Sequence, residues 1–171
     1  DAVVVIQGDR IASVSRRGQA AIPASAQVIR ADGKFILPGL WDSQVSYNWY
    51  YGEVMLNYGI TSTIDVGIAG EIGAPHRDGV HKGRIRGPRP FSGLSRISSE
   101  PVGNTGLETT LTPGRTPKSA QETRELVRAF IAGGADMVQF NDGELPLEYY
   151  RAGFEEATKL GKPVFTRAYG P

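Results

Sequence analysis

The chain has 171 residues, of which 40% are hydrophobic, and this is enough for one domain or for one domain with a small appendage. Its formal net charge is +1, so no strong field favours nucleic acid or an anionic membrane as a partner, and no apolar run reaches membrane-spanning length. It contains no cysteine, which excludes disulfides and thiolate metal sites but leaves the cellular compartment open.

The first 34 residues have the composition of short strands and turns. Residues 2–7 are β-branched and apolar, Gly8-Asp9 can form a tight turn, and residues 10–14 return with apolar positions, which predicts a β-hairpin. Residues 16–25 are polar and predict a loop, and Gln27 to Arg30 predicts another short strand before a turn at residues 31–33.

The next stretch combines a short apolar run with a polar cluster. It predicts a buried strand over Phe35 to Leu40 that carries polar side chains to its own end, namely Asp42, Ser43, Gln44 and Ser46. Gln44 and Ser46 are two residues apart, so they point to one face of a continuing strand.

From there, strands alternate with helical segments. Strands are predicted at residues 61–66, 136–140 and 163–165, and a long loop at residues 98–117. Helices are predicted at residues 50–58, after a capping box formed by Ser119 and Glu122, and over the apolar positions Leu147, Tyr150, Phe154 and Ala157. This alternation favours parallel strands with helices packed outside, in a barrel or a doubly wound sheet.

The run Pro38-Gly39-Leu40-Trp41-Asp42 resembles the amidohydrolase superfamily, in its imidazolonepropionase-like and dipeptidase-like branch. Residues 60–67 resemble the second strand of that branch, and Arg86 to Leu94 resembles its third strand. The resemblance implies an α/β fold in which residues 1–34 are a β-sandwich segment. Residues 35–171 would then form the N-terminal part of a TIM-like (β/α) barrel, with about five of its eight strands.

The resemblance also assigns four metal-ligand positions, and other residues occupy all of them. Gln44 and Ser46 stand where the family has two histidines, Gln139 where it has a lysine that is often carbamylated, and Arg167 where it has a further histidine. An amide or a hydroxyl is a poor zinc ligand, and a guanidinium places a fixed positive charge where the metal would lie. We therefore expect no metal and no cofactor, although the family would use zinc or another divalent metal.

Three functions are compatible with this pattern. The first is an amidohydrolase-family protein that has lost hydrolysis of C–N bonds and serves as a scaffold, regulatory partner or ligand binder. The second is a metal-independent enzyme, or a binder of a small anionic ligand, on the same barrel. There Arg167 would stabilise charge, Asp42 or Asp142 would act as the base, and Gln44, Ser46, Gln139 and Tyr47 would line the pocket. The third is an active metal-dependent amidohydrolase fragment.

Two of these assignments have structural alternatives. Arg167 could form an ion pair with Asp42 or Asp142 instead of binding a ligand, and Tyr47 could pack an adjacent loop. Weaker candidates are the two histidines, His76 and His81, and the basic cluster Arg84, Arg86 and Arg89, which is typical of solvated surface.

Five strands do not close a barrel, so the predicted fold leaves two unpaired strand edges and an uncovered apolar face. We expect a second chain, self-association or a missing C-terminal half to complete it. The chain begins at Asp1 rather than at methionine and has no signal peptide of its own, which indicates a processed or partial product.

Overall fold

The computed structural model describes residues 2–45, 49–65, 70–99, 116–141 and 144–166. The chain divides into two compact units, Asp1–Leu37 and Pro38–Pro171. No helix in the described ranges is both long and apolar enough to cross a membrane.

The first unit contains the predicted hairpin. Strand β1 (Ala2–Gln7) pairs antiparallel with β2 (Arg10–Arg16), and Gly8 in the turn has a φ of 62°, which glycine adopts without strain. The strand predicted at Gln27 to Arg30 is wrong, because these residues form no strand and Val28 and Ile29 are 70% and 82% exposed. A short apolar run becomes a strand only when a neighbouring strand accepts its backbone hydrogen bonds.

The second unit is a mixed α/β structure with two parallel sheets. Strands β3 (Leu40–Val45), β4 (Ile60–Asp65) and β5 (Arg89–Ser92) form one sheet in that order, and β6 (Arg96–Ile97), β7 (Val138–Phe140) and β8 (Val164–Thr166) form the other. The helices are α1 (Gly52–Asn57), α2 (Gly73–His81), α3 (Ala120–Ala132) and α4 (Leu147–Lys159). This confirms the predicted parallel α/β arrangement, while the described strands do not form a closed barrel.

The apolar run before β3 is more exposed than the sequence predicts. Phe35 and Leu37 are 92% and 78% exposed and precede the strand, and Leu40, the first residue of β3, is 60% exposed. The prediction of a buried strand over these residues is therefore wrong. In the described sheet β3 pairs only with β4, so one of its two edges has no neighbouring strand to help cover it.

Helix α3 forms as the capping pattern predicts. The hydroxyl of Ser119 accepts a hydrogen bond from the backbone N–H of Glu122 at 3.1 Å, and the Glu122 carboxylate accepts one from the N–H of Lys118 at 2.8 Å. Val127 and Phe130 are fully buried in the core, and Leu126 and Ile131 pack against it. The apolar face of this helix therefore anchors the second sheet.

Helix α4 packs on the same core through β7. The ring of Phe140 lies 4.9 Å from that of Tyr150 and 6.0 Å from that of Phe154, and it fills the space beside Gly153. Leu147 is 71% exposed, so the first residue of the predicted apolar face lies outside this contact.

The sequence did not predict helix α2, because the stretch is rich in glycine and looks like a loop. Pro75 lies in the first turn of the helix, where proline is tolerated. Gly73 is required for packing, because a Cβ at this position would overlap the hydroxyl of Ser92. The glycine that weakens the helix signal thus permits the helix to lie close to β5.

Substitution of Gly153 by alanine tests the contact between α4 and β7. The added methyl would collide with the Phe140 ring, so we expect the free energy of unfolding to fall by about 1–3 kcal/mol in chemical denaturation. Gly93→Ala is the matched control, because its Cβ would meet its nearest neighbours at 3.7–3.8 Å, an ordinary contact. Equal losses in the two variants would contradict this account.

The ion pair between α3 and α4 makes stability depend on pH. The guanidinium of Arg128 donates to Glu156 at 2.6 Å and lowers the pKa of that carboxyl below its ordinary value of 4.5. The stabilisation is therefore complete above pH 4.5 and is lost as the pH falls through the lowered native value.

Denaturant midpoints of Glu156→Gln and of the unchanged protein, measured from neutral pH downward, should differ most above pH 4.5 and converge in acid. Glu155→Gln is the control, because its pair with Arg124 is longer, at 3.3 Å, and more exposed. A constant gap between Glu156→Gln and the unchanged protein would contradict the assignment.

Candidate functional site

A buried turn interrupts the chain between β5 and β6. The N–H of Ser95 donates to the carbonyl of Gly93 at 2.7 Å, and Leu94 between them has a φ of 60°, a region that costs a non-glycine residue conformational energy. The Leu94 side chain is fully buried in the core with Ala74 and Phe130. Core packing therefore holds this backbone in a conformation that leucine rarely adopts.

The hydroxyl of Ser92 stabilises this turn through two hydrogen bonds. It accepts a hydrogen bond from the N–H of Leu94 at 3.1 Å and donates to the carboxylate of Asp65 at 3.1 Å. Ser92 and Asp65 are 1% and 2% exposed and lie side by side in the register of β5 and β4. The buried carboxylate of Asp65 therefore orients the Ser92 hydroxyl that stabilises the turn.

A second carboxylate links the turn to the helices. Asp136 accepts hydrogen bonds from the N–H of Ser92 at 2.9 Å and from Arg77 on α2 at 2.8 Å, and Arg77 also donates to the carbonyl of Gly134 at 2.7 Å. Burial alone would lower the pKa of Arg77, but the hydrogen bonds and charges of Asp136 and, to a smaller extent, Asp78 outweigh burial and raise the pKa. Helix α2, the end of α3 and β5 are therefore fixed to one another.

The turn changes which face the following residues occupy. Ser92 faces α2, and Ile97 packs in the helix-side core with Phe140, its neighbour in the register of β7. Residues five apart would face opposite sides of a continuous strand, so the turn shifts the alternation by one position. As a result, Arg96 lies on the side away from α3 and α4.

We call this side of the second sheet the inner face. Arg96, Gln139 and Phe165 are neighbours in the register of β6, β7 and β8, and together they form a row across it. Gly93 and Met137 share the face, because a Cβ on Gly93 would lie 3.7 Å from the Cβ of Gln139 and 3.8 Å from the Met137 side chain. The inner face therefore carries a guanidinium, an amide and an aromatic ring in adjacent positions.

Gln139 has a fully buried side chain, and neither its amide oxygen nor its amide nitrogen has a hydrogen-bond partner among the described residues. Such a group is unfavourable in a core unless something else bonds to it. Arg96 beside it is 8% exposed, and its guanidinium donates to Asn141 at 2.9 Å, which fixes its orientation. These three residues define the candidate site.

The structure describes three of the seven site residues predicted from the sequence. Gln139 lies on the inner face, and Asp42 and Gln44 lie near the end of β3, where the Asp42 carboxylate accepts a hydrogen bond from the N–H of Gln44 at 3.1 Å. Gln44 is exposed, and Asp42 lies beside Thr63 in the register of β4. The other four, Ser46, Tyr47, Asp142 and Arg167, lie outside the described residues, so their roles stay predictions.

Sequence reasoning did not single out Arg96 or Asn141 as site residues. The position of Arg96 beside Ile97 is a sequence signal for it, since one of two adjacent strand residues faces away from the core, but alternation counted from Ser92 gives the opposite face. The described residues contain no group of three or more His, Cys, Asp or Glu side chains that could hold a metal ion. The polar groups of the described site are thus amides and a guanidinium, which do not suit zinc.

Comparison with known proteins identifies the fold. No protein-family model and no curated protein sequence matches the chain. A crystal structure of a prolidase complexed with N-methylphosphonate-L-proline matches with a TM-score of 0.80 and 24% identity, over 97% of this chain and 51% of its own. An amidohydrolase matches with a TM-score of 0.79 and 24% identity, over 98% of this chain and 51% of its own.

A Xaa-Pro dipeptidase with bound methionine in its active site matches at 18% identity and a TM-score of 0.71, over 98% of this chain and 52% of its own. The chain thus shares the fold of amidohydrolases and prolidases, which confirms the resemblance seen in the sequence. It spans about half the length of these proteins.

Substitution of Gln139 by leucine tests whether its amide stabilises the folded protein or is kept for binding a ligand. If the amide has no partner in the ligand-free protein, removing it should raise the free energy of unfolding by about 1 kcal/mol. Thr123→Val is the control, because that buried hydroxyl donates to the carbonyl of Ser119 at 3.0 Å and its loss should lower stability by about 1 kcal/mol. Destabilisation by both substitutions would show that Gln139 is a structural residue.

Proposed function

We propose that the chain belongs to an amidohydrolase-superfamily protein whose barrel interior binds a small polar ligand without a catalytic metal, and that it does not hydrolyse C–N bonds by itself. The fold shared with the solved structures and the run Pro38-Gly39-Leu40-Trp41-Asp42 support membership of this superfamily. The chemistry of the inner face supports the loss of the metal. Residues 1–34 would be its β-sandwich segment, and residues 35–171 the first part of its barrel.

The observation that carries this proposal is the buried amide of Gln139. By the family resemblance it occupies the position of a lysine that, once carbamylated, would bridge two metals. An amide nitrogen cannot be carbamylated and does not coordinate zinc, and Gln44 replaces a histidine ligand in the same way. Hydrogen bonding to a ligand is the chemistry that remains available to these side chains.

The barrel would be completed by polypeptide outside this chain. In the described part of the second unit, β3 and β5 are the edge strands of one sheet and β6 and β8 those of the other. Leu40 and Trp41 on β3 are 60% and 56% exposed. The half-length match to solved structures agrees with this. The missing part can come from a longer chain, a second subunit or self-association.

Light scattering on the purified protein tests the completion of the barrel. We expect a native mass well above the 18.4 kDa of this chain, because parallel sheets with such uncovered edges should not remain alone in solution. A stable, well-folded species at 18.4 kDa would contradict a partial barrel.

Metal analysis of the purified protein tests the loss of the centre. We expect no stoichiometric zinc, manganese or iron, and no amide hydrolysis that a chelator abolishes. The matched variant restores the family ligands through Gln44→His, Ser46→His, Gln139→Lys and Arg167→His, and should gain zinc. Stoichiometric metal in the unchanged protein, with activity lost to a chelator, would overturn the proposal.

A further inference from the structure

We propose that a groove between the ends of α2 and α3 binds a small phosphate monoester through Lys82 and Arg84. The groove has a volume of about 560 Å³, which is within the range of small-molecule sites. It lies within the second unit, and none of the residues that define the inner face lines it. This site is therefore separate from the candidate site, and the inference does not depend on the proposed function.

Both helices end in the same type of backbone turn, and the two ends line the groove. Gly83 after α2 has a φ of 66°, and Gly134 after α3 has a φ of 98°, the left-handed conformation of a Schellman ending. In this motif backbone N–H groups bond to the last carbonyls of the helix, as the N–H of Arg84 does to Gly79 at 2.9 Å. Side chains are not needed to cap these carbonyls, so the guanidinium of Arg84 is available to a ligand.

Lys82 and Arg84 bring two positive charges to the groove without a counterion from the protein. Both are exposed, and neither side chain forms a hydrogen bond or an ion pair in the part of the chain that the structure describes. They belong to residues 81–89, which contain four Arg or Lys and no Asp or Glu, although the formal net charge of the chain is only +1. Two unpaired cations in one concave surface match a phosphate monoester, whose charge is roughly −2 at neutral pH.

The other charged side chains of the groove are paired with each other. Arg77 donates to Asp78 at 3.2 Å and to Asp136 at 2.8 Å, so the Asp78 carboxylate in the lining does not act as a free negative charge. Arg77 also donates to the carbonyl of Gly134 at 2.7 Å, which offsets the partial negative charge at the end of α3. The net positive charge of the lining therefore comes from the two unpaired cations.

The extent of this charge favours a small anion over a nucleic-acid strand. A single strand binds along a track of cations, but Arg86 and Arg89 do not line the groove, and Arg86 lies 3.7 Å from the carboxylate of Glu53. Ala74 and Pro75 line the groove and offer an apolar contact to the organic part of a monoester. The surface thus suits a phosphate group attached to a small apolar body.

The position of the groove in the fold also separates it from the candidate site. Helices α2 and α3 end where the chain turns back into β5 and β7, so the groove lies toward the amino ends of these strands. In parallel α/β folds, substrates bind at the carboxyl ends. A phosphate monoester in the groove would therefore be a second ligand of the protein.

Isothermal titration calorimetry of the complete protein with phenyl phosphate tests the proposal. In about 150 mM sodium chloride, which screens long-range attraction, we expect saturable binding at one site. Phenyl sulfate carries the same ring with a single negative charge and should bind about tenfold more weakly. Absence of saturable binding of phenyl phosphate would overturn the proposal.

Variants locate the site. Lys82→Gln and Arg84→Gln should each weaken phenyl phosphate about tenfold, because each removes a charge-assisted hydrogen bond. They should remain folded, since neither side chain has a bonding partner among the described residues. Arg86→Gln is the matched control, because it removes the same charge from the same segment outside the groove, and it should leave binding unchanged. Equal weakening in all three variants would indicate general charge attraction and would contradict a site.

Two further readouts separate binding from helix stabilisation. Phenyl phosphate should shift the backbone amide NMR signals of residues 82–85 and 132–134, and shifts confined to other residues would contradict the assignment. Cations near helix ends can also act by stabilising the helix. If Lys82→Gln and Arg84→Gln lower the denaturant midpoint but leave the affinity for phenyl phosphate unchanged, the two residues are structural and the proposal is wrong.

Discussion

The strained turn at Leu94 is the constraint on which the arrangement of the second unit depends. It divides one stretch of extended chain into β5, which pairs with β4, and β6, which pairs with β7, so it connects the two parallel sheets. The buried Leu94 side chain and the hydroxyl of Ser92 hold it, and the carboxylates of Asp65 and Asp136 hold Ser92. A favourable core contact thus offsets an unfavourable backbone conformation, and the product is an arginine turned away from the helices.

The polar inner face differs from the helix side in a way that selection for stability alone does not explain. On the helix side, Val138 and Phe140 are packed by aromatic and aliphatic groups in the manner of an ordinary core. Between them, Gln139 is equally buried and carries an amide for which the described residues supply no partner. A leucine there would be the simpler choice for a core, so the amide points to a ligand.

How far the sequence predicts this structure depends on whether the signal is local. The hairpin at Gly8 and the start of α3 at Ser119 rest on neighbouring residues, so they were predictable. Helix α2 was not, because Gly73 weakens the local helix signal and its value lies in a contact with Ser92 about twenty residues away. The run Pro38-Gly39-Leu40-Trp41-Asp42 and the place of Gln139 in the site were also predictable, because the family resemblance assigns both positions.

The position of Arg96 on the inner face could not be predicted from the sequence, for a similar physical reason. Period-two alternation counted from Ser92 places it on the helix side, and only the positive φ of Leu94 moves it to the inner face. That φ follows from packing among residues that are distant in the chain, which no local pattern records. The exposure of the apolar residues before β3 likewise depends on what covers them, not on their own sequence.

The most direct test of the central claim is a crystal structure of the complete protein with anomalous data at the zinc edge. The account predicts further strands that close the barrel, and no anomalous peak within bonding distance of Gln44 or Gln139. It also predicts that the Gln139 amide bonds to a non-metal ligand or to ordered solvent. A metal ion coordinated at this end of the strands, about 2.0–2.3 Å from protein ligands, would contradict it.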